Sequence, residues 1–279
     1  MSSSVEILDI ASRHIRVVYR TDSLVEAPNW SPDGKTLVIN GDGRLFRLNP
    51  DGTGTPCVIE TEFAKTCNND HGISPDGTLL VISDETETGA SQIYTLPFEG
   101  GLPTLITRNQ PSYWHGWSPD GRTLAYCAKR EEVFDIYTIR VSGGMEQRLT
   151  EGSGHKDGPD YSPCGRWIYF NSSASGNMQI WRMEADGSNK MQITHDARTN
   201  WFPHPAPSGD RIVYLSYAPG VVGHPRNHFV QLKMMDMDGG NVVLLNDLFG
   251  GQGTINVPSW SPDGTAFAFV RYTQQETQK

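Results

Sequence analysis

Trp30-Ser-Pro-Asp-Gly34 is the first of six copies of one short motif, and these copies decide the fold. Their prolines lie 43, 44, 44, 44 and 55 residues apart. A repeat of roughly 40–45 residues is typical of a four-stranded propeller blade. The other copies are Ile73-Ser-Pro-Asp-Gly77, Trp117-Ser-Pro-Asp-Gly121, Tyr161-Ser-Pro-Cys-Gly165, Pro205-Ala-Pro-Ser-Gly209 and Trp260-Ser-Pro-Asp-Gly264.

Each repeat predicts four short strands. The motif indicates a strand that ends in a turn, because serine favours the first turn position, proline presets φ, and aspartate and glycine complete the turn. Apolar runs such as Leu79-Leu-Val-Ile82 then alternate as a second strand does. Segments such as Gln92-Ile-Tyr-Thr-Leu96, followed by Gly100-Gly101, predict a third and a fourth strand joined by a hairpin.

The two ends of the chain complete the count of strands. The last copy of the repeat stops after two strands near Tyr272, whereas residues 5–10 and 14–19 resemble a third and a fourth strand without a blade. Closing the ring in this way removes exposed sheet edges. The sequence therefore predicts one all-β domain over residues 1–279. The domain is a six-bladed β-propeller with four-stranded antiparallel blades, in which the N-terminal strands complete the last blade.

Composition narrows the classes of partner. The net charge is −9 and no basic cluster stands out, so the chain is predicted not to bind nucleic acid. No apolar run reaches the length of a membrane span, and the first residues do not resemble an export signal. We expect a cytoplasmic protein, or a periplasmic one if a signal has been removed. The four cysteines have no CxxC spacing, which predicts free and mostly buried thiols.

The repeats resemble the WD-like propeller repeats of the TolB family over essentially the whole chain. The motif carries this resemblance, together with the strands containing Gln92-Ile-Tyr94 and Asp135-Ile-Tyr137 and their glycine hairpins. Similar repeats occur in the Tol–Pal component, in the gating propellers of prolyl-oligopeptidase-like enzymes and in pectic-oligosaccharide lyases, so the resemblance implies a fold and no single activity. The segments at 200–204, 223–225 and 249–260 are also similar to bacterial TolB-like proteins of unassigned function, which implies a shared site.

The candidate site lies at the end of the channel opposite the motif turns. Residues four to seven before each motif proline are expected there, because the innermost strand crosses from one face to the other. Seven of the eight histidines, including His155, fall on or near this face, and the same face receives polar residues such as Asp70 and Asp157. It also receives about eleven extra residues after Tyr217 and a glycine-rich segment at 250–256, and long loops in compact folds are commonly functional. The predicted ligand-binding residues are Trp114, Trp201, His204, His224, Arg226, Gln252 and Asn256.

The leading functional hypothesis is a propeller that binds a small polar, saccharide-like ligand or a peptide or protein segment at this mouth. One alternative is a metal-dependent lyase or hydrolase of the oligogalacturonide type, in which His71, His115, His204 and His224 bind a divalent metal ion. Another alternative is a protein-interaction scaffold. No specific catalytic motif is present, so enzymatic activity, any cofactor beyond that ion and the oligomeric state stay open.

Purely structural roles compete with these assignments. His71 and His115 stand where other repeats have Pro28, Pro159, Pro203 or Pro258, so each histidine can equally fill a gap between blades. Trp114 and Trp201 can equally pack against a neighbouring blade.

Overall fold

Five complete blades follow the two N-terminal strands. The computed structural model describes residues 2–273, and every regular element in that range is a β-strand. The first two strands are β1 (Ser3–Asp9) and β2 (Ile15–Thr21). The first blade consists of β3 (Glu26–Trp30), β4 (Leu37–Gly41), β5 (Arg44–Leu48) and β6 (Cys57–Ile59), and the second of β7 (Cys67–Ile73), β8 (Leu79–Asp84), β9 (Gln92–Pro97) and β10 (Thr104–Leu105). The third consists of β11 (Ser112–Trp117), β12 (Thr123–Arg130), β13 (Val133–Arg140) and β14 (Gln147–Arg148), and the fourth of β15 (Lys156–Tyr161), β16 (Trp167–Ser172), β17 (Gln179–Glu184) and β18 (Met191–Gln192). The fifth consists of β19 (Thr199–Pro205), β20 (Arg211–Tyr217), β21 (His228–Asp236) and β22 (Val243–Gly250).

The sixth blade joins the two ends of the chain. Strand β23 (Ala266–Tyr272) pairs antiparallel with β1, and β1 pairs antiparallel with β2. An isolated bridge between Trp260 and Phe267 takes the place of the innermost strand. The predicted six-bladed propeller and its closure by the N-terminal strands are therefore confirmed. Within residues 2–273 the structure contains no helix that could cross a membrane.

A serine and an aspartate stabilise the turn in most copies of the motif. In the first copy, the Ser31 hydroxyl donates to Asp33 Oδ1 at 2.6 Å and accepts from the Thr36 amide at 2.9 Å. The Gly34 amide donates to the Ser31 carbonyl at 2.9 Å, with Gly34 at φ +73°. The same serine–aspartate bond of 2.6 Å recurs in the copies that begin at Ser74, Ser118 and Ser261.

The six turns form a closed ring on one face of the propeller. A Cβ added to Gly77 would lie 3.7 Å from Pro32 of the preceding blade. The equivalent Cβ at Gly34 would lie 3.9 Å from Pro262, which belongs to the last blade. The turn glycine of each of the remaining blades lies in the same way beside the turn proline of the preceding blade: Gly121 beside Pro75, Gly165 beside Pro119, Gly209 beside Pro163 and Gly264 beside Pro207. Each turn therefore fixes the position of the next, and the ring joins the last blade to the first.

The opposite end of each innermost strand is irregular. The innermost strands β3, β7, β11, β15 and β19 each shift register against their neighbour before the motif turn. Such β-bulges redirect side chains and are common beside functional sites. The backbone is left-handed at equivalent positions in three blades: Ala27 (φ 54°), Gly158 (φ 58°) and Phe202 (φ 54°). The residues six positions before the motif prolines lie at these irregular ends: Glu26, Asn69, Tyr113, Asp157, Trp201 and Asn256.

The closing strands are part of the core. Leu8 of β1 is fully buried in one apolar cluster with Phe267 and Phe269 of its own blade and with Trp201 and Leu215 of the fifth blade. Because this cluster spans two blades, closure of the ring contributes apolar burial as well as strand pairing.

We expect Leu8→Ala to lower the free energy of unfolding by about 2–5 kcal/mol, because it leaves a cavity in this cluster. The matched control is Val17→Ala on β2, where the side chain is 39% exposed; its effect should stay within about 0.5 kcal/mol. Urea denaturation of both variants measures the difference. Equal stabilities of the two variants would contradict the role assigned to β1.

Candidate functional site

A cavity of about 280 Å³ lies at the mouth of the channel opposite the motif turns. Blades two to six all contribute to it, which places the cavity near the propeller axis. Its walls combine carboxylates, amides, imidazoles and aromatic rings, a composition suited to a polar ligand. The lining residues are Asn68, Asn69, Asp70, Glu85, Tyr113, His115, Cys127, Phe134, His155, Asp157, Phe202, His224, Gln252 and Asn256.

The Asp157 carboxylate is the centre of the charged part of this cavity. His115 Nε2 lies 3.1 Å from Oδ1 of this carboxylate. On the other oxygen, His155 Nε2 lies 3.4 Å and His224 Nε2 lies 3.7 Å from Oδ2. Burial opposes ionisation of Asp157, but its close interactions with His115 and His155 outweigh that cost and hold the pKa of the carboxyl well below its ordinary value.

His115 is held in the doubly protonated form. Its Nδ1 lies 3.3 Å from the Asn256 carbonyl oxygen and its Nε2 faces Asp157, so both nitrogens meet acceptors. Burial alone would favour the neutral ring. The hydrogen bond with Asp157 and the nearby charge of Asp70 overcome that cost and raise the pKa of His115 to about 9. At neutral pH the pair is therefore an imidazolium beside a carboxylate.

Asp70 supplies a second carboxyl with different properties. Burial raises its pKa to about 7, although the positive charge of His115 acts in the opposite direction. Near neutral pH this group can therefore donate or accept a hydrogen bond. The amides of Asn69 and Asn256 lie beside it, with Asn256 Nδ2 donating to Asn69 Oδ1 at 3.4 Å.

The long loop of the fifth blade, residues 218–227, brings His224 into the cavity and is anchored through Arg226. The Arg226 guanidinium forms a two-point ion pair with Glu26 of the first blade, at 2.6 and 3.0 Å. The segment 250–256 packs closely beneath the loop. A Cβ at Gly251 (φ +113°) would overlap the Pro225 carbonyl, and one at Gly253 (φ +89°) would overlap the Glu26 carboxylate. These two glycines allow the loop, the segment and the first blade to meet.

The structure brings together four of the residues predicted from sequence: His115, His224, Gln252 and Asn256 all line the cavity. Trp201 lies behind the lining, 1% exposed, with its ring centroid 4.4 Å from that of His224 and 5.8 Å from that of His155. It therefore positions both imidazoles from behind.

The other predicted residues lie outside the lining. A Cβ at Gly72 would overlap the ring of Trp114, which therefore packs against the neighbouring blade. His204 is buried between Asp160 Oδ2, at 3.0 Å, and the Ile255 carbonyl oxygen, at 2.7 Å. Arg226 is bound to Glu26.

The four histidines predicted as metal ligands are not gathered at one centre. His71 is fully buried with its Nε2 3.4 Å from the Val38 carbonyl oxygen, and burial lowers its pKa to about 4. His71 and His204 therefore occupy positions between blades, whereas His115 and His224 line the cavity.

The sequence placed His155 and Asp157 at this mouth, but the predicted ligand-binding and metal-binding residues included neither of them, and Cys127 was missed altogether. Asp157 faces the mouth because it stands at the same position of the repeat as Asn69 and Asn256. Cys127 belongs to the second strand of its blade and reaches the cavity because it pairs directly with Tyr113. All four cysteines are free, as predicted, but Cys57 and Cys164 are exposed, so the expectation of mostly buried thiols holds for only half of them.

Known proteins share this fold and, in part, this sequence. Residues 113–223 match the model of the TolB beta propeller domain. A relative from Agrobacterium fabrum, uncharacterized protein Atu1656, is 59% identical over 272 residues, which are 98% of this chain and 93% of the relative. A solved TolB-like structure from Agrobacterium tumefaciens has a TM-score of 0.97 at 58% identity, with 99% of each chain covered. The chain therefore belongs to the TolB-like β-propeller family.

More distant proteins share the propeller with less of the sequence. The Tol-Pal system protein TolB of Francisella tularensis is 25% identical over 257 residues, which are 90% of this chain and 57% of that protein. An oligogalacturonate lyase in complex with manganese has a TM-score of 0.59 at 12% identity, over 87% of this chain and 72% of that chain. The likeness to the lyase shows a common fold alone.

We expect Glu26→Gln to loosen the loop at 218–227, because it removes the carboxylate that holds Arg226. Hydrogen–deuterium exchange should show faster exchange of the loop amides while the pairing of β3 with β4 stays protected. The matched control is Glu85→Gln, a carboxylate at the same mouth that forms no salt bridge within residues 2–273. Unchanged exchange in Glu26→Gln would show that the ion pair does not hold the loop.

Proposed function

We propose that the channel mouth binds a small, neutral, polyhydroxylated molecule of the saccharide class. The observation that carries this proposal is the composition of the cavity. Amides of Asn68, Asn69, Asn256 and Gln252 and the carboxyls of Asp70 and Asp157 line one recess together with aromatic rings. Paired donors and acceptors suit hydroxyl groups, which also donate and accept, and aromatic rings suit the apolar faces of a sugar.

The size of the recess also supports a small ligand. Ligand pockets generally have volumes of about 300–1,000 Å³. The cavity, at about 280 Å³, lies just below that range. Tyr113 and Phe134 stand side by side at its edge, with ring centroids 6.4 Å apart. This pair offers a surface against which one sugar ring can stack, so we expect the site to take one or two sugar units.

The distribution of charge argues against an acidic sugar. Asp157 is ionised, and Asp70 and Glu85 line the same recess. The cationic His115 is already paired with Asp157, and Arg226 is already paired with Glu26. A uronate would bring a further carboxylate to this acidic mouth, and within residues 2–273 no arginine lines the cavity to receive it. For this reason the oligogalacturonide-type lyase is not the function that the site supports best.

We expect Tyr113→Ala to lower the affinity for a neutral sugar by about tenfold or more, because it removes the stacking surface. The test is calorimetric titration of the chelator-treated protein with a panel of neutral mono- and disaccharides and their uronate counterparts. Tyr19→Ala on the outermost strand of the sixth blade is the matched control and should bind as the wild type does. The thermal transition of both variants should remain within a few degrees of the wild type.

Three results would count against the proposal. Absence of binding across the panel would contradict saccharide binding at this site. Tighter binding of uronates than of neutral sugars would contradict the charge argument. Equal binding by Tyr113→Ala and the wild type would place the ligand elsewhere on the molecule.

A further inference from the structure

The floor of the cavity holds a set of metal-ligating atoms that the binding of a sugar does not require. Cys127 Sγ, a nitrogen of His155 and a carboxylate oxygen of Asp157 all lie within 4.8 Å of one another. His224 Nε2 joins them, 3.7 Å from Asp157 Oδ2. Four potential ligands, from the third and fourth blades and from the long loop of the fifth, therefore face one small volume.

The spacing of these atoms matches that of co-ligands on one ion. Nitrogen, oxygen and sulfur ligands at about 2.0–2.3 Å from a tetrahedral zinc ion lie about 3.5 Å from each other. The separations from Asp157 Oδ2 to His155 Nε2 and to His224 Nε2 are 3.4 and 3.7 Å. Cys127 Sγ lies within 4.8 Å of the ligand atoms of His155 and Asp157 and donates to the Lys156 carbonyl oxygen at 3.3 Å, a hydrogen bond that coordination of a metal ion would replace.

The surroundings fix the orientation of these ligands. Asp157 Oδ1 is held by His115 at 3.1 Å, which leaves Oδ2 facing the other two histidines. The His155 ring stacks on Phe134 with centroids 4.7 Å apart, and Trp201 forms T-shaped ring contacts with both His155 and His224. Residues that orient ligands in this way are typical of metal sites and tune their affinity.

Hydrogen bonding alone does not account for the arrangement. His155 Nε2 is shielded from solvent and lies close to Asp157 Oδ2, at 3.4 Å, but within residues 2–273 it forms no well-aligned hydrogen bond. A shielded nitrogen without a partner costs free energy. An ion between the nitrogen and the carboxylate would satisfy both atoms.

We propose that Cys127, His155, Asp157 and His224 bind one divalent transition-metal ion, for which zinc has the best-matched ligand chemistry. A thiolate, two imidazoles and a carboxylate form a tetrahedral set that suits zinc or cobalt and is too soft for magnesium or calcium. On coordination the Cys127 thiol releases its proton to solvent and forms a bond from sulfur to the metal. This inference is tested separately from saccharide binding, because the ion takes all four ligands from the protein and the sugar titration uses metal-free protein, in which the Asp157 carboxylate has no bound cation.

The test begins with chelator-treated, tag-free protein and the metal ions alone, without any sugar. Zinc titration followed by elemental analysis should give one ion per chain, and the thermal transition should rise with zinc concentration. Cobalt titration should produce a sulfur-to-cobalt charge-transfer absorption, which reports directly on a thiolate ligand.

Variants with matched controls locate the ion. Cys127→Ser should abolish the charge-transfer absorption and, like His155→Ala, lower the affinity for zinc by at least about 100-fold. His115→Gln, behind the ligand carboxylate, should lower it by about 10–100-fold. The controls are Cys67→Ser, a buried cysteine in another blade, and His195→Ala at an exposed position, and both should bind as the wild type does. Because Cys127 is buried, the half-exposed His155 provides the variant that is expected to fold normally.

Two outcomes would overturn the metal site. The first is a wild-type protein that binds neither zinc nor cobalt in stoichiometric amount. The second is metal binding that His155→Ala and Cys127→Ser retain but that is lost when the exposed Cys57 and Cys164 are replaced by serine. Neither outcome bears on sugar binding, which is measured on the chelator-treated protein.

Discussion

The contact between the turn proline of one blade and the turn glycine of the next is the interaction on which the rest of this propeller depends, and most turns are held in shape by a hydrogen bond from a serine hydroxyl to an aspartate two residues later. This bond closes the turn after the innermost strand, as between Ser31 and Asp33, and the turn proline then packs on the glycine of the next blade. Two copies depart from it: Cys164 replaces the aspartate, and Ala206 replaces the serine. Both copies keep the proline and the glycine, and their contacts in the ring remain. The hydroxyl–carboxylate bond therefore stabilises each turn locally, whereas the contact between proline and glycine sets the spacing of the blades.

The regular motif turns at one face of the propeller allow the side chains at the opposite channel mouth to vary from blade to blade. Because the turns fix one end of every innermost strand, the bulge at the opposite end brings the same backbone position to the channel mouth in each blade. The residues at this position differ in chemistry: Asp157 is an anion ringed by histidines, Asn69 and Asn256 are amides, and Trp201 is a buried support. The chemical character of the mouth thus arises from side-chain choice on one repeated backbone, and a single substitution can change it without disturbing the blades.

The repeat made the fold predictable, and the bulge limited the prediction of the site. A spacing of 43 or 44 residues and two unattached strands at the N-terminus were enough to infer six blades and their closure. Counting back from each proline located the mouth, but a bulge changes which side chain enters the channel. His71 and His115 occupy the same place in the repeat, yet only His115 lines the cavity. His204 is three residues before its proline, beyond the bulge, and packs between blades. Cys127 reaches the cavity because it pairs with Tyr113 on the neighbouring strand, and counting positions along one strand does not reveal this pairing.

Closure of the ring and construction of the site are coupled through Glu26. This glutamate occupies the position in the first blade that Asp157 occupies in the fourth, but Arg226 neutralises it from the long loop. The same loop delivers His224 to Asp157, 3.7 Å from the carboxylate. The loop therefore neutralises Glu26 on one side of the mouth and places the His224 imidazole beside the Asp157 carboxylate on the other side. Its anchor lies in the first blade, which meets the last blade where the two ends of the chain pair. The cavity can consequently reach its full set of side chains only when the ring is closed.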